Sequence, residues 1–133
     1  MSRGGTTSAT CPCDSGDAYS RCCAPLHRRT RDAATAEELM RSRYSAFVKR
    51  LDGYLAHSWD PSTAPGTISF RDGQRWTGLE IISTARGRPH DDTGTVEFVA
   101  SYEVDGRPSQ LHERSRFTRH DGRWVYLDGV HDD

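Results

Sequence analysis

Most of this chain has no thiols. No cysteine follows position 23, and all four lie between Cys11 and Cys23, in the run CPCDSGDAYSRCC. Lysine is nearly missing too: Lys49 is the only one among 18 Lys and Arg residues, a skew we read as a GC-rich coding bias rather than phosphate recognition. Neither sign of charge dominates. With 19 acids and a net charge of -1, no global field favours nucleic acid or an anionic membrane. No stretch approaches the roughly 18 apolar residues of a membrane span. The opening MSRGGTTSAT lacks the apolar segment of a secretory signal and reads as a disordered N-terminus over residues 1–10. The expectation is therefore a cytoplasmic protein, where thiols stay reduced. At 133 residues and 34% hydrophobic content, the chain can build one domain with little apolar material to spare.

Against that background the clustered cysteines admit three readings. Disulfides are disfavoured by the compartment and because Cys22 and Cys23 are adjacent, although cross-pairing with Cys11 and Cys13 remains open. Redox catalysis usually needs a C-x-x-C pair at a helix start, whereas this is C-x-C followed by C-C. A closed tetrahedral shell of four thiolates suits Zn2+, with iron–sulfur ligation less suited to adjacent cysteines. Asp14-Ser15-Gly16-Asp17 is a turn-forming cluster that can fold the two pairs together. Metal binding would offset the ordering entropy of a segment with almost no apolar residues.

The spacing also resembles the SEC-C motif, C-x-C-x-S-G, eight residues, then C-C or C-H, first named from the SecA translocation motor. The resemblance implies zinc ligands Cys11, Cys13, Cys22 and Cys23. Two positions depart from the usual pattern, Asp14 for glycine and Asp17 for a basic residue, which weakens any nucleic-acid role for the knuckle. By this reading residues 11–27 form the knuckle, 28–34 a linker and 35–130 the main domain.

Thr35 and Glu38 fit a capping box. From Ala36 to Lys49 the residues Leu39, Met40, Tyr44, Phe47, Val48 and Leu51 share one half of a helical wheel, with Ser42, Ser45 and Lys49 outside it. A short helix is expected through Gly53–His57. After residue 64 the period becomes two, which predicts strands over Arg75–Ile82, Val96–Val104, Gln110–Thr118 and Arg123–Leu127. Helices followed by an antiparallel meander give an α+β fold. That order is similar to the NTF2-like cone, in which helices pack on a curved antiparallel sheet. Together with Met40-Arg41-Ser42-Arg43-Tyr44, Trp76-x-Gly78-Leu79, Glu113-Arg114-Ser115-Arg116-Phe117 and Trp124-x-Tyr126-x-Asp128-Gly129, the chain resembles YchJ-like bacterial proteins, which join a SEC-C knuckle to such a domain. The resemblance implies an architecture rather than a reaction.

Chemistry should appear where polar groups occupy apolar positions. Arg43 falls inside the apolar arc of the helix and should find an acid when buried. Leu111, Glu113, Ser115 and Phe117 share a strand face, with Glu113 the odd member. A four-residue loop Arg119–Gly122 would set Phe117 opposite Trp124, Ser115 opposite Tyr126 and Glu113 opposite Asp128. Arg43, Glu113 and Asp128 then form either a structural ion-pair network or the acid–base groups of a pocket that includes Tyr44, Trp76, Ser115 and Tyr126. His112, Arg114 and Arg116 fall on the opposite face.

The leading expectation is a non-catalytic binding or accessory protein acting on a small molecule or, by analogy with SecA, on a protein partner. The alternative is a small-molecule enzyme using Glu113 and Asp128, with Arg43 as anion clamp. Nucleic acid is disfavoured. The chain is expected to be a monomer, or a homodimer through an outer sheet face carrying Val99 and Val125.

Overall fold

The structure, a computed structural model, describes residues 10–131. Apart from Thr10, the stretch expected to be disordered lies outside the described residues. The chain begins with the cysteine loop, a 3-10 turn Tyr19–Arg21 and a short helix α1, Ala24–His27. Two helices follow, α2 at Ala36–Lys49 and α3 at Asp52–His57. The remainder is a four-stranded antiparallel meander, β1 Gln74–Arg86, β2 Thr93–Val104, β3 Arg107–His120 and β4 Arg123–His131, in the order β1-β2-β3-β4.

Local chemistry sets the bounds of α2. The Thr35 hydroxyl accepts a 3.1 Å hydrogen bond from the Glu38 N–H, and Glu37 and Glu38 place negative charge at the positive end of the helix. Glu38 reaches back one residue further than expected, accepting from the Ala34 N–H at 2.8 Å. Arg50 ends the helix in the left-handed conformation, φ 57. The hairpins between β2 and β3 and between β3 and β4 turn on Asp105-Gly106 and Asp121-Gly122. Each dipeptide supplies the two positive φ values that a two-residue I′ turn requires.

The apolar stripe of α2 lies across β1, β2 and β4. Leu39, Met40, Tyr44, Leu79, Val96, Phe98, Ala100, Phe117 and Trp124 form the core between them. The sheet is bent by register shifts at Trp76/Gly78 and Ile81/Ser83 in β1 and by an extra residue, Leu127, in β4. Beyond α3 the segment Ser58–Asp60 runs along β4: the Tyr126 N–H donates to the Ser58 carbonyl and the Asp60 N–H to the Tyr126 carbonyl, both at 2.8 Å.

Candidate functional site

The cysteine loop closes on itself before it meets the rest of the chain. The Cys11 N–H donates to the Asp17 carbonyl at 2.8 Å, and Asp14 and Gly16 turn the loop with φ 61 and 90. Asp14 thus occupies a conformation that favours glycine and that aspartate tolerates. The four sulfur atoms converge to within 4.8 Å of one another, with Cys13 and Cys22 3.6 Å apart and Cys22 and Cys23 3.9 Å apart. All four are free thiols. A tetrahedral ion with bonds of about 2.3 Å to sulfur places its ligands about 3.8 Å from one another, so donor set and spacing both fit a thiolate-bound metal.

The electrostatics point the same way. A hydrogen bond from the Cys11 thiol holds Cys13 far below the ordinary thiol range, while burial lifts Cys22 to about 11. Hydrogen bonds within the cluster hold Cys23 far above that range. Without a cation, Cys22 and Cys23 therefore resist ionising beside Cys13.

The polar side of α2 forms the seat of this cluster. Ser45, fully buried, places its hydroxyl 3.3 Å from the Cys11 sulfur and 3.4 Å from that of Cys23. Arg41 donates to the Cys13 carbonyl at 2.7 Å and to Glu37 at 3.0 Å. His27 donates from Nε2 to the Ser42 carbonyl at 2.8 Å, so its Nδ1 accepts from the Tyr19 hydroxyl at 2.7 Å; burial lowers its pKa and keeps the ring neutral. On the other flank, Asp14 accepts a 2.9 Å hydrogen bond from the Leu79 N–H in β1. Sequence periodicity missed this docking because Ser42 and Ser45 lie outside the apolar arc of α2.

The opposite side of α2 borders a cavity of about 280 Å³ between helix and sheet. Its lining includes Arg43, Tyr44, Trp76, Glu113, Ser115 and Tyr126 from the expected set; Phe47, Trp59, Leu111 and others complete a mostly apolar wall. Arg43, only 4% exposed, forms its polar end. The guanidinium lies over the rings of Trp59 and Tyr126, 4.8 and 4.6 Å from their centres, where the two rings meet edge to face 5.2 Å apart. Its Nη1 donates to the Leu55 carbonyl at 3.0 Å and to the Ser58 hydroxyl at 2.6 Å. Burial lowers its pKa to about 10, against the opposing influence of Tyr126, Tyr54 and Glu113. Glu113 accepts from the Ser115 hydroxyl at 2.5 Å and lies near the Tyr126 hydroxyl, whose pKa is pushed up to about 12 by burial and then by that carboxylate.

Three expectations require correction. Asp128 is not beside Glu113: the loop is two residues long, so Phe117 pairs with Tyr126, and the extra Leu127 then turns Asp128 outward. There it pairs with Arg116 through two hydrogen bonds of 2.6 and 2.5 Å, while Glu113 pairs with His131. Arg43 forms no ion pair with an acid among the described residues; aromatic faces and neutral oxygens hold it instead. Val125, expected on an exposed dimer face, is 0% exposed. His112 and Arg114 face outward, at 2.7 and 3.8 Å from Glu97.

The order of motif and domain, and the fold, recur in known proteins. Residues 8–25 match the SEC-C motif, and residues 35–129 match the middle NTF2-like domain of YchJ. A UPF0225 protein of Streptomyces coelicolor is 52% identical over 119 residues, covering 90% of this chain and 93% of its own. Another from Deinococcus radiodurans is 47% identical, covering 90% and 88%. The solution structure of a SEC-C motif containing protein from Rhodopseudomonas palustris superposes with a TM-score of 0.80 at 33% identity, covering 92% of this chain and 98% of that one. A crystal structure of a SEC-C motif containing protein from Psychrobacter arcticus shares the fold, with a TM-score of 0.72, 24% identity and coverage of 96% and 84%. The chain belongs to the UPF0225 family, in which a SEC-C motif precedes a YchJ-type NTF2-like domain.

Proposed function

We propose that this chain is a non-catalytic binding protein. In this reading Cys11, Cys13, Cys22 and Cys23 hold a structural Zn2+, and the cone cavity receives a small, mostly apolar molecule. When bound, the ion supplies charge neutralisation for the thiolates and a rigid closure of the loop. The chain's own residues do the rest. Ser45 and Arg41 hold the loop against α2, and that helix in turn carries Arg43 and Tyr44 into the cavity wall.

One observation carries the choice of binding over catalysis: Asp128 lies across the sheet from the cavity, leaving Glu113 as the one carboxylate among the described residues of its lining. An acid–base mechanism of the expected type pairs Glu113 with Asp128, and Asp128 faces away with Arg116. An apolar wall with a few convergent polar groups is instead the ordinary form of a ligand pocket. The test has two parts. Elemental analysis of protein purified under reducing conditions should give one zinc per chain. Titration with 2-methylnaphthalene, followed by the fluorescence of Trp59 and Trp76 and by NMR shifts of Tyr126 and Phe98, should saturate. A metal-free, fully folded chain would overturn the first part, and absence of saturable binding the second.

A further inference from the structure

The cavity has an outer neighbour of different character. Phe47 and Trp76 line the cavity and also line a surface groove of about 220 Å³, formed by the end of α2, the segment before β1 and the start of that strand. Their ring centres are 6.1 Å apart, and the pair forms a wall common to an apolar interior and a solvent-facing groove.

The two spaces differ in charge. The cavity lining holds one group of each sign, Arg43 and Glu113. The groove lining holds Arg50, Arg71 and Arg75, and no carboxylate among the described residues. Arg50 stands 5.7 Å over the centre of the Phe70 ring, and Arg75, 72% exposed, shares a 2.8 Å ion pair with Glu103. Asp72 follows Arg71 in the chain but lies outside the lining. Glu103 answers one guanidinium of three, so the groove keeps an excess of positive charge. Arginines beside aromatic rings suit a carboxylate, which the guanidinium fork meets with paired hydrogen bonds.

The common wall can yield at Phe47. This half-buried residue lies in the last turn of α2, with its ring 6.3 Å from Phe70 and 6.1 Å from Trp76. Phe70 belongs to residues 61–73, which form neither helix nor strand. That segment is tied down near its ends, where the Thr63 hydroxyl donates to the Leu127 carbonyl at 2.6 Å and the Asp105 N–H to the Gly73 carbonyl at 3.0 Å. Such a segment gives way at lower cost than a ladder strand or a packed helix.

Resting on the cavity reading above, we infer that the ligand is an anionic amphiphile, an apolar chain ending in one carboxylate. The chain passes Phe47 and lies in the cavity against Tyr44, Phe98 and Leu111. The carboxylate stays in the groove with Arg50 and Arg71. This division keeps the ligand's charge in water-rich surroundings and away from Glu113, where like charges in an apolar space repel strongly. No bond is made or broken.

Octanoate, 1-octanol and octylammonium share a chain and differ in the head, and titrating each into the intact chain at pH 7 and low salt tests the assignment. Octanoate should bind about fivefold more tightly than octanol, the scale of a few exposed ion pairs, and octylammonium should bind most weakly. The octanoate advantage should shrink in about 0.5 M NaCl, where exposed charges are screened. Arg50→Gln together with Arg71→Gln, both at exposed positions, should erase the difference between octanoate and octanol. Each methylene added from hexanoate to octanoate should tighten binding about fourfold, as for chain removed from water. Octanoate should also displace 2-methylnaphthalene, since both claim the cavity. Equal affinity for the three heads would overturn the carboxylate assignment while leaving the cavity reading intact. Octanoate bound alongside 2-methylnaphthalene, or affinity flat with chain length, would overturn the passage past Phe47. If 2-methylnaphthalene binds and octanoate does not, this inference alone falls; if neither binds, the cavity reading falls with it.

Discussion

Asp14 and Leu79 join the cysteine loop to the first strand of the sheet: the Leu79 N–H donates to the Asp14 carboxylate at 2.9 Å, across 65 residues of sequence. The bond falls beside the register shift at Trp76/Gly78, on an outer strand whose alternate N–H groups have no partner within the sheet. Asp14→Gly keeps the left-handed backbone and removes the acceptor. It should lower stability by about 1 kcal/mol. The check is a urea midpoint measured with the metal bound, and an unchanged midpoint would show that the bond does not tie loop to sheet.

Removing the metal should be felt throughout the domain. Ser45, Arg41 and Asp14 fasten the loop to α2 and β1, so a loop that loses its ion withdraws support from both. A strong chelator should lower the melting temperature by roughly 10 °C or more, since about 1 kcal/mol shifts a domain of this size by about 4 °C. Calorimetry with and without chelator, under reducing conditions, measures this directly.

Gly129 makes room for Glu113. A Cβ at position 129 would lie 2.3 Å from a Glu113 carboxylate oxygen and 2.6 Å from its carboxyl carbon. Gly129→Ala should therefore displace the carboxylate, lower stability by about 1–3 kcal/mol and, because Glu113 lines the cavity, change the affinity for the 2-methylnaphthalene probe. Asp128→Asn, one residue earlier but on the outer face with Arg116, should leave probe affinity unchanged within about twofold, inside the scatter of ordinary surface substitutions. The two variants side by side test the β3–β4 register through a binding curve.

Alkaline pH should unfold the chain in a defined window. Burial raises Tyr44, Tyr54 and Tyr126 from 10.0 to about 12. Below pH 10 these phenols are protonated in both states. Between pH 10 and 12 the unfolded chain loses those protons and the folded chain keeps them, so stability falls as pH rises. Urea midpoints at pH 9, 10 and 11 should decline in that order, and tyrosinate absorbance should rise together with unfolding.

How far the sequence reached depended on whether each signal was local. The bounds of α2 followed from Thr35, the apolar spacing and the charge of its first turn, all within the segment itself. The strands and hairpins followed from alternation and the two Asp-Gly dipeptides, although each strand extends beyond its expected limits. The family was legible in the cysteine spacing and in phrases spread along the chain. The β3–β4 pairing was not, because hydrophobic alternation specifies faces and not loop length, and the extra residue Leu127 leaves no mark in that pattern. Arg43 was correctly sent inward by the helical projection, yet its partners came from Trp59 and Ser58 in a stretch without periodicity. Ser42 and Ser45 misled for a further reason: a helix covered on two sides keeps only a narrow solvent face, and small hydroxyls pack as closely as alanines once a neighbour lies over them.

The segment Ser58–Asp60 bears on how copies of this protein can meet. By bonding to Tyr126 it occupies the middle of the margin that β4 would otherwise offer to a strand from another molecule. β1, at the far side of the meander, gives its Leu79 N–H to Asp14 of the cysteine loop. Each outer strand is thus met midway by another part of the same chain, which shortens the rim that strand-to-strand addition could use. Short, interrupted rims protect a sheet of this kind from growing into fibres.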